Sequence, residues 1–128
     1  MGMVIPPIPK RLTIYQGATL RQTLIWKSGP TKDAAQLVDL TGCTARAQVR
    51  QTWPSLTVIA DLSTENGGIT LGDAMGTITL SMTATQTALL PTLSKPARWD
   101  LEIYWPDGDV VRLFEGDCMI SPEVTRDG

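Results

Sequence analysis

The strongest constraint in this sequence is a strict two-residue alternation of apolar and polar side chains. In the segment 43–50 the apolar residues are Cys43, Ala45, Ala47 and Val49, and the polar residues are Thr44, Arg46, Gln48 and Arg50. In the segment 98–105 the apolar residues are Trp99, Leu101, Ile103 and Trp105, and the polar residues are Arg98, Asp100, Glu102 and Tyr104. Successive side chains of a β-strand point to opposite faces, so each segment predicts a strand with one buried face.

Other segments repeat this period between clear turn signals. Their predicted inward residues are Leu12 and Ile14; Leu20, Leu24 and Trp26; Leu56, Val58, Ala60 and Leu62; Ile78, Leu80 and Met82; Val111 and Leu113; and Cys118 and Ile120. Glycine-containing turns are predicted at 16–17, 65–68, 72–76 and 106–108, and a long loop at 27–42. Thr83 and Gln86 form a capping-box pair that predicts a helix of about two turns, which Pro91 would end.

Seven or eight short strands and one short helix predict an all-β fold, an antiparallel immunoglobulin-like β-sandwich. A length of 128 residues suits one such domain, which we place at residues 12–126.

The N-terminal segment 1–11 is predicted to be an extended, proline-rich arm. Pro6, Pro7 and Pro9 lack a backbone N–H and favour the polyproline II conformation, so this segment cannot be a central strand. Its apolar residues, Val4, Ile5 and Ile8, are candidate partner contacts. Two interpretations remain open, a frayed terminus or an arm that lies along a neighbouring subunit.

Composition argues against most kinds of chemistry. The chain has no histidine, which removes the commonest general base and the usual transition-metal ligand. Cys43 and Cys118 form no CxxC motif, so zinc is not expected, and they are either two free thiols or one disulfide. The 13 acidic residues outnumber 11 dispersed basic ones, which argues against nucleic-acid binding. No signal-peptide core or membrane-length apolar segment occurs, which predicts a cytoplasmic protein.

The segment 99–123 is rich in acids and could suggest a metal or glycosidase site. Its acidic residues are Asp100, Glu102, Asp107, Asp109, Glu115 and Asp117. Alternation places Asp100 and Glu102 on the outer face, and Asp107 and Asp109 flank a hairpin glycine. Gly116 is predicted to mark a β-bulge. We therefore expect a hydrated sheet face with no catalytic residue, metal ligand or cofactor.

The tryptophans suggest one surface contact. Trp99 and Trp105 follow the buried face and are expected in the core. Trp53, beside Pro54, is expected to be exposed, and it is the best single candidate for a partner contact.

Several motifs together resemble a known group of proteins. The most specific are Tyr15-Gln16-Gly17, Asp39-Leu40-Thr41-Gly42, Glu115-Gly116 and Ser121-Pro122-Glu123-Val124-Thr125. With their flanking segments they resemble the immunoglobulin-like N-terminal module of phage baseplate upper proteins and related tail or virion proteins. The similarity extends over nearly all of the chain after residue 11.

The resemblance implies a non-enzymatic structural protein of a tailed-phage virion, assembled in the host cytoplasm. Such a protein would act by symmetric edge, arm and loop contacts in the tail, baseplate or fibre-attachment region. Its partners would be other virion proteins and further copies of itself, without nucleic acid or membrane. Two alternatives stay open, a capsid decoration (cement) or head-fibre protein, and a module that binds host-surface carbohydrate.

Overall fold

The computed structural model describes residues 6–29 and 34–125, and it is built mainly of strands. The strands are β1 (Ile8–Pro9), β2 (Leu12–Tyr15), β3 (Leu20–Ile25), β4 (Lys27–Ser28), β5 (Gln36–Leu37), β6 (Thr44–Arg50), β7 (Val58–Ser63), β8 (Ile69–Leu71), β9 (Thr77–Met82), β10 (Ala97–Tyr104) and β11 (Val110–Ser121). A 3₁₀ turn (Asp73–Met75) precedes β9, and helix α1 (Ala84–Ala88) follows it.

Two sheets pack as an immunoglobulin-like β-sandwich. The larger sheet has the order β1-β11-β10-β6-β7, and β2 also pairs with β11. The smaller sheet has the order β3-β9-β8. In immunoglobulin terms β6, β10 and β11 correspond to strands C, F and G, and β3, β9 and β8 to strands B, E and D.

The core lies between the sheets and follows the predicted alternation. Leu101, Ile103, Ile78 and Leu80 are fully buried, and Trp26 packs edge-on against Trp105 with ring centroids 6.0 Å apart. Trp99 is buried and Trp105 is half-buried. Cys118 is buried, Cys43 is half-buried, and both are free thiols, which settles the alternative left open by the sequence.

The prediction was wrong about strand count and about two connections. The described residues form eleven strands because several are only two to four residues long. The predicted loop at 27–42 contains the β4–β5 hairpin, in which Lys27 pairs with Leu37. Leu56 was expected inside but is 96% exposed, because the strand begins at Val58 and the preceding residues form a turn.

The pairing is also not wholly antiparallel. Both β1 and β2 run parallel to β11, where Ile8 lies opposite Phe114 and Leu12 lies opposite Cys118. Prolines are tolerated there because β1 is an edge strand, where an absent N–H leaves no ladder bond unmade.

The irregularity in β11 lies at Leu113, three residues before Gly116, where the bulge was predicted. Leu101 pairs with Phe114 and Glu102 pairs with Arg112, so Leu113 is the extra residue. This insertion lets the neighbouring Leu113 and Phe114 both be buried. Gly116 has a different role, since an added Cβ there would collide with the backbone carbonyl oxygen of Lys10.

Helix α1 begins with the predicted capping box. The Thr83 hydroxyl accepts a hydrogen bond from the backbone N–H of Gln86 at 3.1 Å, and the Gln86 side chain accepts one from the Thr83 N–H at 2.8 Å. The helix has five residues, fewer than the two turns predicted, and it ends at Ala88, three residues before Pro91.

Candidate interaction surface

Strand register places three connections and the segment after β11 at one end of the sandwich. Tyr15 at the end of β2 lies opposite Ser121 at the end of β11, and Leu20 lies opposite Met82. Arg50 at the end of β6 lies opposite Arg98 near the start of β10. We call this the basal end, and it consists of residues 15–19, 51–57, 83–96 and 121–125.

The basal end presents large apolar side chains to solvent and carries little charge. Its exposed apolar residues are Tyr15 (60%), Trp53 (83%), Leu56 (96%), Leu89 (81%) and Val124 (89%). Within its segments the charged residues are Lys95 and Glu123. An apolar patch rich in aromatic side chains and poor in charge is typical of the core of a protein interface.

The turn that carries Trp53 is held in one shape by three hydrogen bonds. The N–H of Ser55 donates to the Thr52 carbonyl oxygen at 3.1 Å, and the N–H of Thr57 donates to the Ser55 hydroxyl at 3.2 Å. The Arg50 guanidinium donates to the Ser55 carbonyl oxygen at 2.5 Å. Trp53 and Leu56 are therefore displayed by an ordered turn, which lowers the entropy lost on binding.

Gln16 ties the other three segments of the basal end together. Its Nε2 donates to the Leu90 carbonyl oxygen at 2.8 Å, and its Oε1 accepts from the N–H of Glu123 at 3.1 Å. Its backbone N–H donates to the Ser121 carbonyl oxygen at 2.9 Å. The Glu123 carboxylate lies against Gly17, where φ is +77° and a Cβ would find no room. The Tyr15-Gln16-Gly17 and Ser121–Thr125 motifs thus meet in space.

The acids of the segment 99–123 are spread along the outer face of the larger sheet. The Arg112 guanidinium lies 3.7 Å from the Asp100 carboxylate and 3.6 Å from that of Glu115. Arg98 pairs with Asp117 at 2.7 Å. These side chains are roughly half exposed, so each pair contributes little to stability.

The remaining acids of this stretch serve the turn or the sheet face. The Asp107 carboxylate accepts the N–H of Asp109 at 2.9 Å in the hairpin, and the Glu102 carboxylate accepts the Tyr104 hydroxyl at 3.0 Å. Partial burial, with the nearby Glu102 and Glu115 charges, raises the pKa of Asp100, although Arg112 and Arg50 oppose the shift. Among the described residues no group of three or more His, Cys, Asp or Glu side chains is placed to hold a metal ion.

A cleft of about 390 Å³ joins the outer face to the basal end. It is lined by Trp53 together with Gln48, Arg50, Asp100 and Glu115. The structure therefore brings the predicted partner residue Trp53 beside two acids that the sequence analysis assigned to a hydrated face.

Of the predicted arm contacts, Ile8 lies on a different edge from Trp53. Ile8 is 42% exposed in β1, and β11 and β10 lie between β1 and β6, a separation of roughly 14 Å at the usual strand spacing. Just after β1, Lys10 donates its N–H to the Glu115 carbonyl oxygen at 2.9 Å, so this part of the arm lies along its own sheet. Val4 and Ile5 lie outside the described residues.

Sequence reasoning missed Tyr15, Leu56, Leu89 and Val124 as surface contacts. Burial of its neighbours Thr87 and Leu90 leaves Leu89 on the outer side, but the sequence alone does not distinguish Leu89 from Leu90. The grouping of these residues with Trp53 depends on which connections share an end, and that follows from topology. Neither helical segment in 6–29 and 34–125 is long and apolar enough to cross a membrane.

Comparison with known proteins gives likeness to solved structures at low identity. No protein-family model and no curated protein matches the chain. A chicken TCR structure is similar with a TM-score of 0.45 and 6% identity, over 93% of this chain and 57% of that one. Drosophila OTK extracellular domains 3–5 give a TM-score of 0.35 and 13% identity, over 93% of this chain and 35% of that one.

The chain spans less than two thirds of the length of either structure. The immunoglobulin-like assignment rests on the sheet order described above.

Proposed function

We propose that this chain is a non-enzymatic structural component of a tailed-phage virion, in the tail, baseplate or fibre-attachment region. The basal end is the surface through which it joins the particle. The phage context comes from the motif resemblance, and the mode of action comes from the geometry of the surface.

One observation carries the assembly role: the four most exposed large apolar side chains of the described residues, those of Trp53, Leu56, Leu89 and Val124, all lie at one end whose segments contain two charged residues. Trp53, Leu56 and Leu89 are each more than four-fifths exposed. Large apolar side chains that are exposed together at one end of a domain often mark an interaction site. The hydrogen bonds of Arg50 and Gln16 hold this surface in place before a partner binds.

The chemistry of the chain supports a role without catalysis. It lacks histidine, and Cys118 is buried with a pKa raised to about 12, which keeps its thiol protonated and unreactive. The paired carboxylates Asp100 and Glu115 share one arginine, Arg112, on a half-exposed sheet face. Charge pairs of this kind, exposed to water, are an ordinary feature of a sheet surface.

The proposal is tested on phage particles purified from cells that carry the gene. Antibody raised against the purified chain should label the tail or baseplate in immunogold electron microscopy. Gold over the capsid would instead support the capsid decoration or head-fibre alternative. Particles without label, and without peptides of the chain by mass spectrometry, would overturn a virion role.

The role of the basal end is tested with matched variants. Trp53→Ala combined with Leu56→Ser should reduce incorporation into particles at least tenfold, since interface tryptophans often contribute 2 kcal/mol or more. Met75→Ser is the control, because Met75 is also exposed, at 61%, but follows β8 in the 72–76 turn away from the basal end. Equal incorporation of both variants would remove the basal end from the proposal.

One observation favours the carbohydrate-binding alternative. The cleft at Trp53 combines an exposed indole with the planar polar groups of Gln48, Arg50 and Asp100, and its volume of about 390 Å³ suits a small ligand. This alternative predicts that bacterial surface polysaccharide quenches Trp53 fluorescence, with no such change in Trp53→Phe. An unchanged spectrum across a glycan panel would remove it.

A further inference from the structure

We propose that the side chain of Asn66 closes the open edge of the larger sheet against the addition of another strand. Asn66 stands in the turn between β7 and β8, and its amide binds backbone groups of β7 that an added strand would use. We call this arrangement the edge cap. It concerns residues outside the basal end, and it does not depend on the proposed function.

Strand β7 lies at the edge of the larger sheet, where it follows β6 at the end of the strand order. Just after β7, the N–H of Thr64 donates to the Ala45 carbonyl oxygen at 3.1 Å. Backbone groups of successive residues alternate between the two sides of an antiparallel strand, so those of Asp61 and Ser63 point away from β6. Outward N–H and C=O groups on an edge strand form a template for pairing with another chain.

One outward group of each of these two residues is bound by the Asn66 side chain. Its Nδ2 donates to the Asp61 carbonyl oxygen at 2.9 Å, and its Oδ1 accepts from the N–H of Ser63 at 2.9 Å. A residue of an added parallel strand, placed opposite Leu62, would bind the same carbonyl oxygen and the same N–H. The Asn66 amide therefore imitates one residue of a neighbouring strand.

The turn itself holds the Asn66 amide in this position. The N–H of Gly68 donates to Asn66 Oδ1 at 2.8 Å, and the N–H of Asn66 donates to the Ser63 hydroxyl at 3.1 Å. A Cβ added at Gly68 would stand 2.8 Å from Leu62 Cδ2 and 2.9 Å from Asn66 Oδ1, so only glycine lets the turn lie this close to β7. The edge cap is thus formed within the single chain.

The capped groups lie where an added strand could reach them. Asp61 and Asn66 are both exposed to solvent. A cleft of about 590 Å³ opens beside them, and Leu62 and Gly68 also line it. A strand that entered there would have to displace the Asn66 amide from its hydrogen bonds before it could pair with β7. In a solution of the purified chain, that strand would come from a second copy.

Asn66→Ala in the purified full chain tests whether the cap exists. We expect amide exchange at Ser63 and Gly68 to become about tenfold faster, because both N–H groups lose their acceptor. Asn66→Asp keeps an acceptor there and should keep both amides slow. Glu65→Ala is the matched control in the same turn, since the Glu65 carboxylate accepts the Thr64 hydroxyl at 3.1 Å. Unchanged exchange at Ser63 in Asn66→Ala overturns the edge cap.

A second measurement tests whether the uncapped edge accepts a strand. It uses the Trp53→Ala/Leu56→Ser background, so that association through the basal end does not contribute. Asn66→Ala in this background should form dimers and larger species as concentration rises in sedimentation velocity, with an infrared band of intermolecular β-structure. The background alone and the background with Glu65→Ala should sediment alike. Circular dichroism establishes that each variant is folded.

The two measurements separate the contact from its consequence. A folded Asn66→Ala chain that exchanges faster at Ser63 but sediments like its background would overturn the closure of the edge against a second copy. Neither measurement uses phage particles, so its result stands apart from the virion role.

Discussion

The Trp99 indole Nε1 donates a hydrogen bond of 2.8 Å to the backbone carbonyl oxygen of Lys10, 89 residues earlier in the chain. The same indole stacks on Phe114 with ring centroids 6.4 Å apart. This core side chain thereby fastens the end of β1 to the larger sheet. The bond explains how a proline-rich segment that makes a two-residue strand can hold a defined position.

Trp99→Phe should release this segment at moderate cost to the fold. Loss of one buried hydrogen bond costs about 1 kcal/mol, to which the smaller ring adds a packing loss. We expect faster hydrogen exchange of the Lys10 amide and faster tryptic cleavage after Lys10. Trp105→Phe is the control, because Trp105 Nε1 has no hydrogen-bond partner among the described residues. The anchoring role fails if both variants expose Lys10 equally.

Gly116→Ala should displace the same segment by another route. The added methyl group would collide with the Lys10 carbonyl oxygen, and such overpacking typically costs about 1–3 kcal/mol. Gly108→Ala strains a backbone with φ of +99° but meets no atom within 4 Å, so it should leave the Lys10 amide protected. Chemical denaturation and hydrogen exchange measure the two effects separately.

The contacts of Lys10 with Trp99 and with Gly116 show what the sequence could and could not predict. The alternation at 43–50 and 98–105 predicted the buried face because that pattern is local. The glycine at 116 was assigned to a bulge because its actual reason, the approach of Lys10, joins residues far apart in sequence. Leu56 was misplaced because the apolar alternation starts at Leu56, two residues before β7 begins at Val58.

Of the residues on the candidate surface, the sequence predicted only Trp53. Trp53 was expected to be exposed because a proline follows it between two strands. Tyr15, Leu89 and Val124 join it only when strand order brings their connections to one end, and a single strand pattern contains no information about that order. The meeting of Gln16 with Glu123 has the same origin.

Gln16→Ala should loosen the basal end without disturbing the core. It removes the hydrogen bonds to the Leu90 carbonyl oxygen and from the Glu123 N–H, at a cost of about 1–3 kcal/mol in total. Amide exchange at Glu123 should accelerate. Gln16→Glu keeps an acceptor for Glu123 but loses the donor to Leu90, so it should preserve slow exchange at Glu123. Identical exchange in both variants would contradict the bridging role.

The two cysteines should differ in reactivity in the folded protein. Burial raises the pKa of Cys118 to about 12, and the pKa of the half-buried Cys43 is raised mainly by burial, with the charges of Asp39 and Asp107 adding to it. Because the thiolate is the reactive form, iodoacetamide should modify Cys43 slowly and Cys118 only after unfolding. Peptide mass spectrometry with and without denaturant measures this order, and Cys43→Ser provides the single-thiol control.

Two aspartates should change stability with pH in opposite directions. Burial and the Glu102 charge raise the pKa of Asp100, so the folded chain binds its proton more tightly than the unfolded chain does. The stability that protonated Asp100 contributes is therefore present below pH 3.8 and is lost as the pH rises through the raised pKa. Asp100→Asn should gain stability relative to wild type over that window, by less than about 1 kcal/mol, because the half-exposed Asp100 side chain is screened by water and salt.

Asp39 provides the opposite case. Hydrogen bonds from the Thr41 hydroxyl at 2.6 Å and the Thr41 N–H at 3.0 Å lower the pKa of Asp39 below 3.8. Its contribution is present at neutral pH and lost as pH falls through the lowered value. Asp39→Asn should therefore be less stable than wild type at neutral pH and approach it in acid. Urea unfolding of both variants across the acid range measures the slopes, and slopes of the same sign would refute these assignments.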